Sequence, residues 1–135
     1  MSILTAAMLS VAMPVLANND DQGLAAYNRQ DYTTAFKIWS ELANQGNAAA
    51  QHNLGVMYEQ GQGVAQNYQQ AVQWYQKAAN QGHAKAQGNL GYMYKNGLGV
   101  AQNLKQARYW YTKAANQTAD EDARENAKRH LETLK

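Results

Sequence analysis

The 135-residue chain has no cysteine, one proline and little net charge. The absence of cysteine excludes disulfide frameworks, thiol nucleophiles and cysteine-ligated zinc or iron–sulfur sites. Twelve Lys and Arg against ten Asp and Glu leave a formal charge of +2. That charge is too small and too dispersed for a nucleic-acid-binding footprint, so we expect no nucleic-acid partner. The length suits one small domain rather than several.

Alanine, glutamine and asparagine dominate what is present. The chain contains 24 Ala and 29 Gln and Asn taken together. Such a composition favours helices over strands, because strands are enriched in β-branched and aromatic residues. A β-sandwich is therefore disfavoured, and we expect an all-α protein.

The N-terminal residues 1–17, MSILTAAMLSVAMPVLA, carry no charged side chain. Their mostly apolar run, residues 3–11, is too short to cross a bilayer as a helix. Val15-Leu16-Ala17 fits the small-x-small cleavage rule, and Pro14 breaks the helix just upstream. We predict a cleaved signal peptide at 1–17, a periplasmic or secreted location in a bacterial envelope, and no stable membrane insertion after cleavage. Because no basic residue precedes the apolar run, the alternative is an apolar first helix of the domain.

A repeat of 36 residues organises the rest of the chain. Residues 47–82 and 83–118 are identical at 23 of 36 positions when the two segments are aligned. A shorter unit at 18–46 shares part of the frame, and residues 119–135 follow the last repeat. Repeats of this length predict one domain, 18–135, in which helix–turn–helix units stack.

Each full repeat resolves into two predicted helices. The first helix carries an apolar stripe of helical period. The stripe consists of Ala50, Leu54, Met57 and Tyr58 in one repeat and Ala86, Leu90, Met93 and Tyr94 in the next. Gly61 and Gly97 are expected to end these helices, because glycine adopts the left-handed conformation without penalty. Asn67 and Asn103 are expected to begin the second helices as N-caps, each with a glutamine in capping-box register.

Residues 119–135 predict a single C-terminal capping helix with a polar outer face. Its apolar side consists of Ala119, Ala123, Ala127, Leu131 and Leu134. Acidic residues lie toward its start and basic residues toward its end, which complements the helix dipole.

Three motifs carry a family resemblance. They are Asn53-Leu54-Gly55-x-Met57-Tyr58, Gly61-x-Gly63-Val64 and Trp74-Tyr75-x-Lys77-Ala78-Ala79, each with a copy 36 residues later. The motifs resemble Sel-one-like repeats (SLR), relatives of the tetratricopeptide repeat (TPR). The resemblance covers about residues 22–134, although the first unit is closer to a plain TPR hairpin. It implies an α-solenoid, a superhelix of stacked helical hairpins.

The side-chain inventory is poor in catalytic groups. Ser40 is the single serine after residue 17, and its own unit holds no histidine. His52, His83 and His130 are isolated in sequence, without the spacing of a metal site. We therefore predict a protein that is not an enzyme and that has no cofactor and no metal.

The recurring glycine and aromatic residues are interpreted as structural. The Gly-x-Gly segments lack the third glycine, the lysine and the preceding strand of a nucleotide loop, so they are predicted to be turns. We interpret the tryptophans as recurring at one frame position per unit, and we therefore expect the aromatic residues to pack between hairpins. These residues are Trp39, Trp74, Trp110, Tyr75 and Tyr111.

The resemblance to TPR proteins implies that the first helices line a concave groove. Residues of these helices that lie off the packing stripe are our candidates for partner binding. They are Tyr27, Asn28, His52, Asn53, Val56, Glu59, Lys85, Asn89, Tyr92, Lys95 and Asn96. Asn53 and Asn89 are similar to the asparagines of carboxylate-gripping TPR grooves, but bonds to nearby backbone favour a structural role for them.

Three functions are compatible with this sequence. The leading hypothesis is an exported interaction module that binds a partner protein or peptide through its concave face. The alternative is a periplasmic immunity or inhibitor protein that neutralises a toxin or enzyme. A β-lactam-binding or hydrolysing enzyme is suggested by cysteine-rich relatives, whose cysteines this chain lacks. We expect a monomer or a weak end-to-end oligomer.

Overall fold

The computed structural model describes residues 19–135, so the predicted signal peptide lies outside the described residues. The described part of the chain consists of seven α-helices without strands, which confirms the predicted all-α fold. The helices are α1 (Asn19–Asn28), α2 (Tyr32–Asn44), α3 (Ala48–Gln60), α4 (Tyr68–Asn80), α5 (Ala84–Asn96), α6 (Leu104–Ala115) and α7 (Glu121–Glu132). Each packs against the next, and α7 also contacts α5. Among residues 19–135, no helix is long and apolar enough to cross a membrane.

The helix starts follow the predicted caps. Asn67 Oδ1 accepts a hydrogen bond from the backbone N–H of Gln70, and Asn103 Oδ1 accepts one from that of Gln106, both at 3.0 Å. The reciprocal half of the capping box is replaced, because the Asn67 N–H donates to the carbonyl oxygen of Tyr58 at 2.8 Å. That bond ties the start of α4 to the end of α3.

The first helices of the two full repeats end at left-handed glycines, as predicted. Gly61 has φ 69° and Gly97 has φ 66°, and their N–H groups donate to the carbonyl oxygens of Met57 and Met93. A side chain at either position would be strained, because L-residues rarely adopt positive φ.

Each hairpin closes over a glycine that lies beneath an aromatic ring. Gly23, Gly55 and Gly91 are pressed against the rings of Trp39, Tyr75 and Tyr111, respectively. The prediction that the three tryptophans share one frame position is therefore wrong. In the first unit, Trp39 occupies the position that Tyr75 and Tyr111 occupy in the later units. Either kind of ring fills the space above the glycine.

Trp74 does not lie fully in the core. It is half-buried on α4, with the Lys77 ammonium 4.6 Å from the centroid of its ring. Trp110, one period later, is buried at 6% exposure. Trp110 belongs to the buried cluster that α4 and α5 form, and Trp74 packs against the preceding cluster of α1, α2 and α3 as a partly buried residue.

Buried glutamines join consecutive units through a repeated network. Gln51 Nε2 donates to the carbonyl oxygen of Ala43, and Gln81 Nε2 donates to Gln51 Oε1 at 2.8 Å and to the carbonyl oxygen of Gly46 at 3.0 Å. Gln87 and Gln117 repeat this arrangement one period later. Buried amides need such partners because an unsatisfied polar group costs about 1–3 kcal/mol. The network therefore fixes how one hairpin is placed on the next.

The C-terminal helix is shorter than its apolar stripe suggested. It begins after Asp120, whose side chain accepts from the Ala123 N–H at 2.9 Å. Ala123 and Ala127 are buried, as expected, and Ala127 shares a cluster with Ala107, Tyr111 and Ala114 of α6. Ala119 is exposed and precedes the helix, so its assignment to the stripe is wrong. An aspartate cap stabilises a helix start more than an alanine one step earlier would.

Candidate functional site

One cleft of about 460 Å³ lies between α3, α5 and α7. These are first helices of successive units, with α7 standing where the first helix of a further unit would be. The lining is His52, Val56, Glu59, Gln60, Tyr75, Ala84, Lys85, Gly88, Asn89, Tyr92, Asp122, Ala123, Asn126 and His130. The row of first helices thus forms a concave surface on this part of the molecule, with polar and apolar groups in nearly equal share.

The structure brings six of the eleven predicted residues to this cleft. They are His52, Val56, Glu59, Lys85, Asn89 and Tyr92. Asn53 stands behind His52, where its Oδ1 lies 3.4 Å from His52 Nδ1. Lys95 Nζ donates to Thr133 Oγ1 at 2.9 Å, and Asn96 Nδ2 donates to the carbonyl oxygen of Tyr92.

The two candidates from the first unit lie away from the cleft. The Tyr27 ring packs on Trp39, and its hydroxyl donates to Gln62 Oε1 at 2.9 Å. Tyr27 thus joins the first unit to the turn that follows α3. Asn28 is exposed at the end of α1.

Sequence reasoning missed the wall that α7 supplies. Asp122, Asn126 and His130 are spaced four residues apart, so they share one face of α7. The sequence signal for this wall is the four-residue spacing of the three polar residues beside the alanine stripe. The sequence analysis predicts only a capping role for this helix. The cap therefore also completes the cleft.

A second feature is an apolar row on the first helices, in which Val56 is half-buried and of which sequence reasoning missed Leu24. Leu24, Val56 and Tyr92 directly follow the pressed glycines of their units, so they occupy equivalent positions. Leu24 is 51% exposed and Tyr92 is 43% exposed. Aligning the units on their glycines would have placed Leu24 in this row, which we call the inner apolar row.

His52 is held as a neutral imidazole at the side of the cleft. Asn89 Nδ2 lies 3.0 Å from His52 Nε2, and in this amide orientation Nδ2 donates and the unprotonated ring nitrogen accepts. His52 Nδ1 then carries the proton and donates to Asn53 Oδ1. Burial and, after it, the nearby His83 lower the pKa of His52 to about 4. Asn53 and Asn89 therefore orient His52.

His83 stacks on His52 and caps α5. The two ring centroids lie 4.8 Å apart at an interplanar angle of 26°. His83 Nδ1 accepts from the Ala86 N–H at 3.2 Å, as Asn47 Oδ1 accepts from the Ala50 N–H one unit earlier. Burial lowers the pKa of His83, and Lys85 lowers it further. Both stacked rings are thus held neutral.

Two buried tyrosines at equivalent positions differ in their bonding. Tyr75 Oη donates to Glu59 Oε1 at 2.7 Å, whereas the buried Tyr111 Oη has no partner among the described residues. Lys95 stands in the frame position of Glu59, and an ammonium cannot accept a hydrogen bond. Burial and the Glu59 carboxylate raise the pKa of Tyr75 well above its usual range.

Removing these two hydroxyls is expected to have opposite effects. Tyr75→Phe should lower the free energy of unfolding by about 2 kcal/mol, because it removes a hydrogen bond to a charged group. Tyr111→Phe should leave it unchanged or raise it by up to about 1 kcal/mol, because the lost hydroxyl is buried without a bond. Urea denaturation of the two variants checks this, and equal losses in both would contradict the bonding difference.

The described residues offer no further constellation for chemistry. Within residues 19–135, no group of three or more His, Asp and Glu side chains is placed to hold a metal ion. Ser40 lies on α2, whereas the histidines lie on α3, before α5 and on α7.

The stacked hairpins and the cleft on their first helices define a helical-repeat protein of the α-solenoid class. The Sel1 repeat model matches residues 22–47, 48–83 and 84–118. The chain therefore belongs to the Sel1 repeat family. The match includes the short first unit, which the sequence alone likened to a TPR hairpin. No curated protein matches the sequence.

Solved structures with the same repeat resemble this chain. A Sel1 repeat protein from Oxalobacter formigenes is 39% identical, with a TM-score of 0.75 over 84% of this chain and 44% of its own. A protective antigen of uropathogenic Escherichia coli strains that displays an SLR fold is 32% identical, with a TM-score of 0.78 over 88% of this chain and 26% of its own. This chain thus spans less than half the length of both.

Cysteine-rich protein B of Helicobacter pylori shares the fold. It is 24% identical, with a TM-score of 0.63 over 80% of this chain and 91% of its own. Sel1 repeat proteins are generally protein-interaction modules, and the fold is a typical non-enzymatic interaction scaffold.

Proposed function

We propose that this protein is an exported interaction module that binds a partner protein or peptide in the cleft between α3, α5 and α7. The observation that carries the proposal is the cleft itself, about 460 Å³ in volume and lined from three helices of the solenoid. Concave sites with a few placed polar groups are the usual form of binding sites.

The composition of the cleft supports recognition of a polypeptide. Tyr92 is 43% exposed there, and tyrosine is enriched among the residues that dominate binding energy. Lys85 and Asp122 are exposed at the cleft and supply charges of both signs. The inner apolar row continues beyond the cleft to Leu24 on α1, so a partner longer than the cleft would find further contact.

Export is proposed from the sequence of residues 1–17. An uncharged apolar segment followed by a small-x-small site is the pattern of a secretory signal. Mass spectrometry of protein recovered from the periplasm would detect a mature chain that begins at Asn18. Recovery of the uncleaved chain from the cytoplasm would contradict export.

A capture experiment with a matched control tests the site. Protein expressed from the full-length gene is purified, immobilised and exposed to envelope extract, and retained proteins are identified by mass spectrometry. Tyr92→Ala/Asp122→Ala removes an exposed tyrosine and an acid from the cleft. Tyr109→Ala/Glu41→Ala removes the same two residue types from exposed positions on α6 and α2.

One dominant partner is expected on the wild type and on the Tyr109/Glu41 control, but not on the Tyr92/Asp122 variant. With the purified partner, calorimetry should show affinity falling at least about 30-fold, the loss typical of a tyrosine that dominates binding. Equal affinity of both variants would contradict the proposed site, and no retained partner would contradict the proposed function. If the partner is an enzyme or toxin that loses activity on binding, the immunity or inhibitor role is supported.

A further inference from the structure

Gly88 is a glycine in the middle of α5 that neither the backbone nor the packing requires. A Cβ placed there would meet nothing within 4 Å, unlike one at Gly55 or Gly91. Its φ is not positive, so the helix does not need the freedom of glycine either. A glycine inside a helix costs about 1 kcal/mol relative to alanine. The previous unit has His52 at the equivalent position.

The consequence of this glycine is open space in the cleft, which Gly88 itself lines. Aromatic rings from three helices border the same cleft, namely His52 from α3, Tyr92 from α5 and His130 from α7. The Tyr92 and His130 rings meet edge to face, with centroids 6.4 Å apart. Space over a glycine, bordered by rings, can accept one bulky side chain of a bound partner.

The charges of the cleft select the chemistry of that side chain. The lining of the cleft contains two carboxylates, Glu59 and Asp122, and one ammonium group, Lys85. The histidine rings add no charge at neutral pH. Burial and then the nearby His83 lower the pKa of His52 to about 4, and burial lowers the pKa of His130, as do Lys95 and Arg129 outside the lining. A cation is therefore favoured over an anion.

We propose that the space over Gly88 is a subsite for an arginine side chain of the bound partner. A guanidinium group stacks on aromatic faces and pairs with carboxylates through its planar fork of donors. Tyr92 supplies the exposed ring face, and Asp122 and Glu59 supply the carboxylates, with Glu59 Oε1 also accepting from Tyr75 Oη. This inference rests on the proposed function and assigns the partner a basic segment.

The test uses a named probe and two substitutions of Gly88. Acetyl-Gly-Arg-Gly-amide and its citrulline counterpart, which has the same shape without the charge, are titrated into the ¹⁵N-labelled full chain. Amide resonances of Gly88, Tyr92 and His130 should shift with the arginine peptide, at an affinity at least about tenfold above that for citrulline. Gly88→Leu should abolish the shifts, and Gly88→Ala should weaken them. Both substitutions should keep or raise the melting temperature, which shows that loss of binding is not loss of fold.

Several outcomes would overturn the subsite. Equal affinity for the citrulline peptide would show a neutral occupant, and unchanged binding by Gly88→Leu would place the arginine elsewhere. Capture of the partner separates this inference from the proposed function. If Gly88→Leu still retains the partner that wild type retains, the subsite is wrong while the interaction module stands. If the arginine peptide binds over Gly88 but no partner is captured, the subsite stands and the proposed function is wrong.

Discussion

Replacing Gly55 with alanine is expected to lower the free energy of unfolding by about 3 kcal/mol or more. The new Cβ would lie 2.5 Å from Cδ1 and Cε1 of the Tyr75 ring, which is closer than carbon atoms approach. Tyr75 is buried at 1% exposure and cannot swing outward. The α3–α4 pair must therefore separate, which also strains the hydrogen bond between Tyr75 and Glu59.

Gly88→Ala is the matched control, since it makes the same change inside α5 where a Cβ meets nothing. It should raise the free energy of unfolding by about 1 kcal/mol through helix propensity alone. Urea denaturation of both variants, with helicity checked by circular dichroism, measures the difference. A Gly55→Ala protein as stable as wild type would show that the hairpin does not close over this glycine.

Acidification from pH 7 to pH 5 is expected to destabilise the protein by about 2 kcal/mol through His52 alone. The pKa of His52 falls from an ordinary 6.5 to about 4 in the folded protein, chiefly because the ring is buried. The unfolded chain therefore binds a proton from about pH 6.5 downward while the folded chain does not. Stability is full above pH 6.5 and is lost as the pH falls through that value toward about 4.

The same transition adds contributions from His83 and His130, whose pKa values are also lowered by burial. Protonation would remove the lone pair with which His83 Nδ1 caps α5. Two carboxyl groups, Asp31 and Glu125, have lowered pKa values and titrate below this interval. We therefore assign the change in stability between pH 7 and pH 5 to the histidines.

Two substitutions separate the histidine contributions in melting experiments at pH 7 and pH 5. His83→Asn keeps a capping acceptor, as Asn47 does for α3, and removes the titrating ring. His52→Gln removes the other ring and should abolish most of the pH dependence. A wild-type melting temperature that is the same at both pH values would contradict the neutral, buried state of His52.

The sequence by itself determined the repeats, the helices and their ends. Asn67 and Asn103 begin helices and Gly61 and Gly97 end them because caps act within one turn of the chain. The stripe of Ala50, Leu54 and Met57 is buried because a 3.6-residue period is a local property. Because these local signals repeat every 36 residues, the sequence was enough to predict the solenoid fold and the family.

Only the tertiary structure decided what the units form together. The wall of the cleft comes from Asp122, Asn126 and His130, which lie more than thirty residues beyond the α5 residues that they face. Lys95 replaces Glu59 with a charge of opposite sign. Its consequence, a Tyr111 hydroxyl without a partner among the described residues, depends on the packing of α6. Gly88 is likewise distinguished from Gly91 only by what surrounds it. Such features depend on how the hairpins stack, and distances between units are not encoded in the periodicity of any one of them.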